Sequence, residues 1–474
     1  MKATLSVAAL LVTLAARGGR SDELPPVRRA TLDNGLRLVV SEYHELPLVE
    51  FYVMVGAGAA QDPPGKAGLA ALTATTLRRG AGSLSAEALA RAVDSLGGRL
   101  DATAGIEATV VSAEFLAKDF SAGLDLLRQV LLDPTFARDE VRRAREEQAA
   151  EIVAALDDPG AVAEKCFAAF LYGAHPYGRP IEGFRSTVPG LSRGDVRDFY
   201  ERWYRPNDTI LVLVGDVETA DAIIRLREAF GAWRPRPDAV ATRAGAPEPV
   251  SARRHLLVDK PDASQTQIRF GNISIARSHP DYLAATVANT ILGGGFTSQL
   301  IEELRVKRSL TYSAWSGFAA RLQGGDFRVG TFTKSPTTVE TLALALEVEG
   351  NFRTQPTAPA ALDKARTFLR GQFPLRLESP DALAARLAEG EFYGLPEDDL
   401  ATYRSRVAQV TAADVERVAR DHMPDPDRVA IVVVGKASEI RDPLTARFGN
   451  FDTIAPDASC WTCDGASDSP KRAT

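Results

Sequence analysis

One pattern of residues occurs twice in this sequence, as RSTVPGLSRGDVRDFYERWYRPNDTILVLVGDV at residues 185–217 and as RSRVAQVTAADVERVARDHMPDPDRVAIVVVGKA at residues 404–437. In each copy a Ser or Thr precedes Asp-Val where a helical pattern begins, and a proline follows where it ends. A run of β-branched and other apolar residues comes next, which is typical of a buried strand. Because helix, stop and strand recur in order about 220 residues apart, the sequence predicts a tandem duplication.

The duplicated stretches also predict the class of the fold. Ser192 and Thr411 are the predicted helix N-caps, since a hydroxyl at that position accepts a hydrogen bond from the first helical turn. Residues 210–214 and 429–434 are the predicted buried strands. Strand pairs and helices precede both stretches. The sequence therefore predicts an α+β protein with two tandem homologous α/β-sandwich domains and antiparallel-rich sheets.

The boundary between the halves is marked by composition. Residues 234–254 belong to a stretch that is rich in Pro, Ala and Arg and has no apolar periodicity, as in an interdomain linker. We therefore predict an N-terminal domain at residues 26–233 and a C-terminal domain at residues 255–452. A chain of 474 residues is long enough for this arrangement, since single cores stop growing well below that length.

Composition and charge limit the classes of function. Apolar residues make up 45% of the chain and charged residues 25%, which is ordinary for a soluble globular protein. The formal net charge is only −6, and no long block of Lys and Arg stands out. We therefore expect no nucleic-acid partner.

The N-terminus has the features of a targeting segment. Lys2 supplies positive charge, residues 4–16 form an apolar run, and Ala-Arg-Gly follows as a small-x-small cleavage site. We predict a signal peptide at residues 1–20 and an exported, periplasmic protein, with a short uncleaved anchor as the alternative. No other apolar stretch approaches the 18 residues of a membrane span, so we expect no transmembrane span in the mature chain.

The C-terminal tail, residues 453–474, is polar and is predicted to be disordered. It contains Cys460 and Cys463 in the sequence CWTC. A disulfide formed after export, a redox pair and half of a metal site all remain open for these two cysteines.

A segment near the N-terminus has a helical pattern and little chemistry. Residues 68–82, GLAALTATTLRRGAG, place Leu69, Leu72 and Leu77 on a rough apolar stripe. The remaining positions offer mainly Ala and Thr, and none of these side chains binds a metal ion.

Over roughly residues 28–450 the chain resembles the pitrilysin/insulinase-type zinc metallopeptidases, the superfamily of the mitochondrial processing peptidase. The resemblance is carried by the duplicated halves and by LDNGLRLVV (32–40), GKAGLAALTATTLRRGAG (65–82), HPYGRPIEG (175–183) and HPDYLAATVANTILGGGFTSQLIEELRVKRSLTYS (279–313). It implies a metallopeptidase-like bowl made of the two halves.

The resemblance also implies where a zinc site would lie. Family members carry His-x-x-Glu-His in this helix and a Glu about 76 residues further on; two imidazoles and the later carboxylate hold zinc, and the first Glu is the general base. Here the three motif positions are Ala71, Ala74 and Thr75, and only the later carboxylate, Glu151, is present. The five histidines, at positions 44, 175, 255, 279 and 422, offer no close pair in sequence as a substitute. We therefore expect no zinc in this chain.

A second family feature is retained. LRVKRSLTYS matches the stretch in which family members place an Arg and a Tyr seven residues apart, here Arg305 and Tyr312. In the family this pair grips the substrate backbone in the zinc site of the facing half. The alternative is structural: Arg305 caps a helix end and Tyr312 is a half-buried aromatic that starts a strand.

The resemblance leaves two main roles. In the first, the chain is the non-catalytic, substrate-gripping subunit of a heterodimeric peptidase that acts on peptides or proteins, and a homologous partner supplies the zinc. In the second, it is a structural scaffold in a periplasmic or membrane-associated complex, similar to the core subunits of the cytochrome bc complex. A hydrolase with different catalytic residues is less favoured, because no G-x-S-x-G or comparable motif supports it.

Overall fold

The computed structural model of the protein describes residues 24–236 and 244–456. Each half contributes the strands of one main sheet. The strands are β1 (Val27–Thr31), β2 (Arg37–Glu42), β3 (Leu48–Val55), β4 (Gly80–Ala81), β5 (Leu84–Ser85), β6 (Arg99–Ala104), β7 (Thr109–Leu116), β8 (Thr209–Gly215), β9 (Arg254–Asp259), β10 (Thr266–Ser274), β11 (Ala314–Ala319), β12 (Gly325–Thr333), β13 (Ala430–Gly435) and β14 (Asp452–Ile454).

Helices follow or separate these strands in both halves. The helices are α1 (Leu69–Leu77), α2 (Ala86–Ser95), α3 (Phe120–Leu132), α4 (Arg138–Ala154), α5 (Pro159–Tyr172), α6 (Arg193–Trp203), α7 (Thr219–Phe230), α8 (Tyr282–Leu292), α9 (Thr338–Thr354), α10 (Pro359–Gln372), α11 (Pro380–Tyr393), α12 (Asp399–Gln409), α13 (Ala412–His422) and α14 (Ala437–Phe448). A π-helix spans Ile301–Lys307.

The two main sheets have the same topology. The first has the order β1-β2-β8-β3-β7-β6 and the second the order β14-β9-β13-β10-β12-β11. In both, the central strand that follows the duplicated helix (β8 or β13) pairs in parallel with one neighbour and antiparallel with the other. The predicted α+β class with antiparallel-rich sheets is confirmed, and only the outermost strand beside β2 or β9 differs in origin and direction.

The duplicated stretches fold as predicted. Ser192 and Thr411 begin α6 and α13 with capping boxes, in which each hydroxyl accepts a hydrogen bond from the backbone N–H of Asp195 or Asp414. Every residue of β8 and of β13 is buried, because both faces of each strand are covered. A continuous apolar run, in place of an alternating one, is what such a strand requires.

Two helices are exchanged between the halves. α5, from the first half, packs on β10 and β13 of the second sheet, whereas α11, from the second half, packs on β3 and β8 of the first sheet. The contacts are apolar: Phe167 of α5 lies against Val432, and Leu383 of α11 belongs to the cluster around Val212. The predicted boundaries therefore assign each sheet to one domain, but each sheet is also covered by a helix from the other domain.

Some sequence predictions concern residues at the ends of the described chain or outside it. The predicted signal peptide, Cys460 and Cys463 lie outside the described residues. β14 continues to Ile454, two residues beyond the predicted end of the C-terminal domain, and pairs with β9. Within the described part of the chain no helix combines the length and the apolar character needed to cross a membrane.

Candidate functional site

The helix that carries the three motif positions is held firmly at its start. Gly68 precedes α1 with φ of 95°, a left-handed conformation that favours glycine. The buried carboxylate of Asp62 accepts hydrogen bonds from the backbone N–H groups of Gly68, at 2.7 Å, and Ala70, at 2.8 Å. Burial raises the pKa of Asp62 to about 7, although these two N–H groups and the nearby Arg179 act in the opposite direction.

The side chains at the motif positions do not fit a zinc ion. Ala71 and Thr75 are half-buried and lie four residues apart on α1, and therefore on one face, while Ala74 is buried. Methyl groups and a threonine hydroxyl are not among the ligands that hold zinc in proteins. Glu151 lies on α4 with an exposed side chain. A single carboxylate cannot hold zinc usefully, so no zinc chemistry can be assigned to these residues.

The role of α1 in this chain is architectural. Leu69, Leu72 and Leu77 are buried in the core of the first half, as the apolar stripe predicted. The side-chain amide of Gln148, on α4, donates hydrogen bonds to the carbonyl oxygens of Gly68, at 3.0 Å, and Glu182, at 2.8 Å. These contacts fix the helix against its neighbours without any metal ion.

Arg305 and Tyr312 lie together in the second half. Arg305 belongs to the π-helix, and Tyr312 lies in the turn just before β11. Both side chains line one open cleft of about 450 Å³. The seven-residue spacing therefore brings a guanidinium group and a phenol to one place.

The exposure of Tyr312 does not match the structural alternative. The side chain of Tyr312 is 75% exposed, so it is not the half-buried aromatic of that alternative. The guanidinium of Arg305 lies 4.9 Å from the ring centre of Phe296, which is itself exposed. Within residues 24–236 and 244–456, Arg305 makes no ion pair with a carboxylate. Both side chains are thus available to a ligand.

The backbone between Arg305 and Tyr312 is unusual. Ser309 has φ of 54°, and Phe136 is the only other non-glycine residue with positive φ in the described chain. Such a conformation costs about 1–3 kcal/mol and persists only where the surroundings impose it. π-Helical turns are also rare and are frequent at functional sites.

Sequence reasoning missed two further residues of this cleft. Gln265 and Lys334 both line it. They come together because Thr266, which starts β10, pairs with Thr333, which ends β12. No local motif marks either residue, and only the strand register places them beside Arg305.

Two of the five histidines lie close together. His279 and His422 are far apart in sequence, but their ring centres lie 4.8 Å apart, a contact that the spacing of the histidines in the sequence did not indicate. With Asp281 they form the only group in the described residues that has metal-ligand geometry. Both oxygens of Asp281 accept hydrogen bonds from the guanidinium of Arg417, at 2.6 and 2.7 Å. These bonds hold the pKa of Asp281 well below its usual range. Because Asp281 is already paired and precedes α8, the cluster is better explained as a contact that stabilises the start of this helix than as a cation site.

The two duplicated sheets and the helix α1 define a class of protein. It has the fold of a metallopeptidase, but the helix that would carry the zinc motif has no histidine ligands in this chain. Comparisons with known sequences agree. Residues 38–184 match the family model for insulinase (peptidase family M16), and residues 190–369 match the model for the peptidase M16 inactive domain. Together these matches span more than half of the chain, so the protein belongs to peptidase family M16.

Individual relatives cover nearly the whole fold. An uncharacterized zinc protease of Mycobacterium tuberculosis is 30% identical over 395 residues, which is 83% of this chain and 90% of that protein. A non-peptidase homolog of Helicobacter pylori is 22% identical over 407 residues, or 85% of this chain and 92% of that protein. The crystal structure of a peptidase M16 inactive domain from Pseudomonas fluorescens superimposes with a TM-score of 0.81 and 27% identity, covering 86% of this chain and 98% of that one. The chain is similar to both zinc proteases and inactive-type proteins, and its residues on α1 fit the inactive type.

Proposed function

We propose that this protein is the non-catalytic subunit of a heterodimeric zinc metallopeptidase, in which a homologous partner holds the zinc ion and this chain grips the peptide substrate. The proposal combines two features of the chain. The two histidine ligands and the general base of the zinc motif are replaced by Ala71, Thr75 and Ala74, whereas Arg305 and Tyr312 both line one open cleft.

The Arg305/Tyr312 cleft is the observation that carries the proposal. A scaffold has no need for an arginine without a carboxylate partner beside a tyrosine that is 75% exposed. Guanidinium and phenol groups both donate hydrogen bonds, and a peptide carbonyl that gains negative charge during hydrolysis accepts them. The pair suits substrate binding and stabilisation of that charge, while the attack of water depends on the partner's metal ion.

Purification from the native host tests this proposal. The tagged chain is expected to co-purify with a homologue that carries an intact His-x-x-Glu-His motif, and the complex to contain about one zinc ion per pair. The same chain expressed alone is expected to be free of zinc and inactive. A strictly monomeric or self-paired protein in the native host would contradict the proposal, and so would zinc-dependent, chelator-sensitive cleavage by the chain alone.

A scaffold without any peptidase role is the second candidate, because one relative is named a non-peptidase homolog. The same purification separates the two. A scaffold would co-purify with a larger complex that has no chelator-sensitive peptidase activity and no zinc-bearing homologue.

Export to the periplasm is part of the proposal and is supported by the charged, apolar and small-residue pattern of residues 1–20. Cell fractionation with N-terminal sequencing checks it. The expected result is a mature chain in the periplasmic fraction that begins near residue 20, and a full-length chain in the cytoplasm would contradict it.

A further inference from the structure

The cleft beside Arg305 collects positive charge and no negative charge. Two of its lining residues, Arg305 and Lys334, are cationic, and none is Asp or Glu. Lys334 is exposed at the end of β12. Glu302 and Glu303 lie on the π-helix but do not line the cleft, and Glu303 binds the ammonium group of Lys307 at 2.6 Å. The positive charge of the cleft is therefore not neutralised by its own walls.

The cleft also has free backbone donors. Within the described chain, the N–H groups of Thr311 and Tyr312 have no hydrogen-bond acceptor, although their neighbours Ser309 and Leu310 donate to Arg305 and Leu304. The N–H groups of the left-handed residue Ser309 and of Leu310 are thus used within the chain, whereas those of Thr311 and Tyr312 remain as donors.

Two threonine hydroxyl groups of the cleft already donate hydrogen bonds within the chain. Thr311 donates its hydroxyl proton to the carbonyl oxygen of Ser313 at 2.9 Å, and Thr333 donates to that of Leu310 at 2.7 Å. The groups of the lining that remain are the guanidinium of Arg305, the ammonium of Lys334, the phenol of Tyr312, the Gln265 amide, the Ser309 hydroxyl and two backbone N–H groups. Each of these can donate a hydrogen bond to a carboxylate, and two of them carry positive charge.

A larger cavity elsewhere lacks this character. It has about 540 Å³ and lies between the segment that begins at Leu24 and helices α11 and α12. It is lined by five carboxylates as well as three arginines, and Arg29 pairs with Glu391 at 2.6 Å and Arg386 with Glu389 at 2.8 Å. Of these two cavities, the Arg305 cleft is the one lined by cations and by no carboxylate.

We infer that the Arg305 cleft binds a carboxylate group of the peptide and that Lys334 determines this preference. The inference rests on the proposed function for its peptide ligand. The carboxylate could come from an Asp or Glu side chain or from a peptide C-terminus, and both sources present the same two acceptor oxygens. Since Lys334 is exposed, replacing it does not disturb the core.

Binding of labelled peptides to the purified full chain tests the inference and distinguishes the two sources. Three peptides of equal length are compared by fluorescence anisotropy: one with an internal Glu and an amidated C-terminus, one with no acidic residue and a free C-terminus, and one with neither. At least one of the first two is expected to bind about tenfold more tightly than the third, since hydrogen bonds to charged groups are stronger than those between neutral groups. Whichever peptide is preferred identifies the source of the carboxylate.

Lys334→Gln is expected to abolish this preference, so that the three peptides bind with similar affinity. Lys364→Gln, at an exposed position on α10, is the matched control and is expected to change nothing. Equal affinity for all three peptides, no binding of any, or the same preference in Lys334→Gln would overturn the inference. This assay needs neither zinc nor a partner, so it is independent of the co-purification experiment. If an active pair co-purifies but the chain shows no carboxylate preference, only the inference is refuted. If the chain prefers carboxylates but no zinc-bearing homologue co-purifies with it, only the heterodimer is refuted.

Discussion

At the scale of single residues, the first half of this protein keeps the packing of a metal-binding helix without its ligands. Leu69, Leu72 and Leu77 remain buried, and Asp62 and Gln148 fix the start of α1 by hydrogen bonds to Gly68. Ala74 is buried in the same core, and Ala71 packs against it. The helix therefore packs through small side chains at two of the three motif positions.

The proposed grip makes a prediction about Arg305 and Tyr312. In the reconstituted pair, Arg305→Ala or Tyr312→Phe is expected to lower kcat/KM about tenfold or more, because loss of one donor to developing oxyanion charge commonly costs about 10²–10³ in rate. Melting temperature and partner affinity are expected to stay unchanged, since Tyr312 is exposed and Arg305 lies beside a cleft. Steady-state kinetics and thermal unfolding are measured on the same samples.

Arg370→Ala, at an exposed position on α10, serves as the control for the loss of an arginine and is expected to leave both quantities unchanged. If Arg305→Ala and Tyr312→Phe instead lowered stability, and activity fell only in proportion to the unfolded fraction, the two residues would be structural.

A second prediction concerns Glu349 and the dependence of stability on pH. It lies on α9, fully buried, and neither carboxylate oxygen has a hydrogen-bond partner in the described chain. Burial raises its pKa from 4.5 to about 8, with Arg353 lowering and Asp425 raising the value to a smaller extent. Because the folded protein keeps this proton over a range in which the unfolded chain loses it, stability is expected to fall as pH rises from about 4.5 to about 8.

Urea unfolding of the wild type and of Glu349→Gln across pH 5 to about 9 tests this prediction. The loss contributed by one proton is at most about 1.4 kcal/mol per pH unit, and it is absent from Glu349→Gln. The difference in unfolding free energy between the two proteins is therefore expected to move in favour of Glu349→Gln as pH rises. Parallel curves would show that Glu349 does not carry a raised pKa.

At the scale of secondary-structure elements, the exchange of α5 and α11 joins the two halves. Each sheet is covered on one face by a helix from the other half, so neither half completes its core alone. Loss of packing at such a contact is expected to weaken both halves. The linker at residues 234–254 is consequently not the main connection between them.

Leu383→Ala tests this coupling. Leu383, on α11, is 1% exposed, and removal of a buried leucine side chain typically costs about 2–5 kcal/mol. Hydrogen exchange is expected to show that β8 and β13 lose protection together, although only β8 contacts α11 directly. Leu375→Ala is the control, since that side chain is 68% exposed. Loss of protection confined to β8 would mean that the halves unfold independently.

The same elements show what the sequence could predict. The caps at Ser192 and Thr411 and the strands β8 and β13 were predictable because their signals are local. The exchange of α5 and α11 was not predictable, because an apolar helix face does not indicate which sheet will cover it. The contact of His279 with His422 was not predictable either, because it joins residues that are far apart in sequence.

Part of the candidate site could be predicted from the sequence and part could not. Arg305 and Tyr312 could be found because they are seven residues apart in one recognisable segment. Lys334 could not, since it reaches the cleft only through the pairing of β10 with β12. Residues that act from separate strands require the register of the sheet.

At the scale of the whole molecule, duplication supplies two equivalent halves, and the two halves of this chain differ in their side chains. The first half keeps the helix without zinc ligands, and the second keeps the cleft with Arg305 and Tyr312. Membership of peptidase family M16 and the match to its inactive domain agree with this division. Under the proposed function, a complete site forms only when the cleft faces the zinc ion of another subunit.

Reconstitution from separately purified subunits tests this claim most directly. The rate of peptide cleavage is measured while this chain is titrated into a fixed amount of its zinc-bearing homologue. We expect that neither subunit alone cleaves appreciably, that the rate rises to a plateau at one chain per homologue, and that a chelator abolishes it. A homologue that is fully active alone and unaffected by this chain would contradict the account.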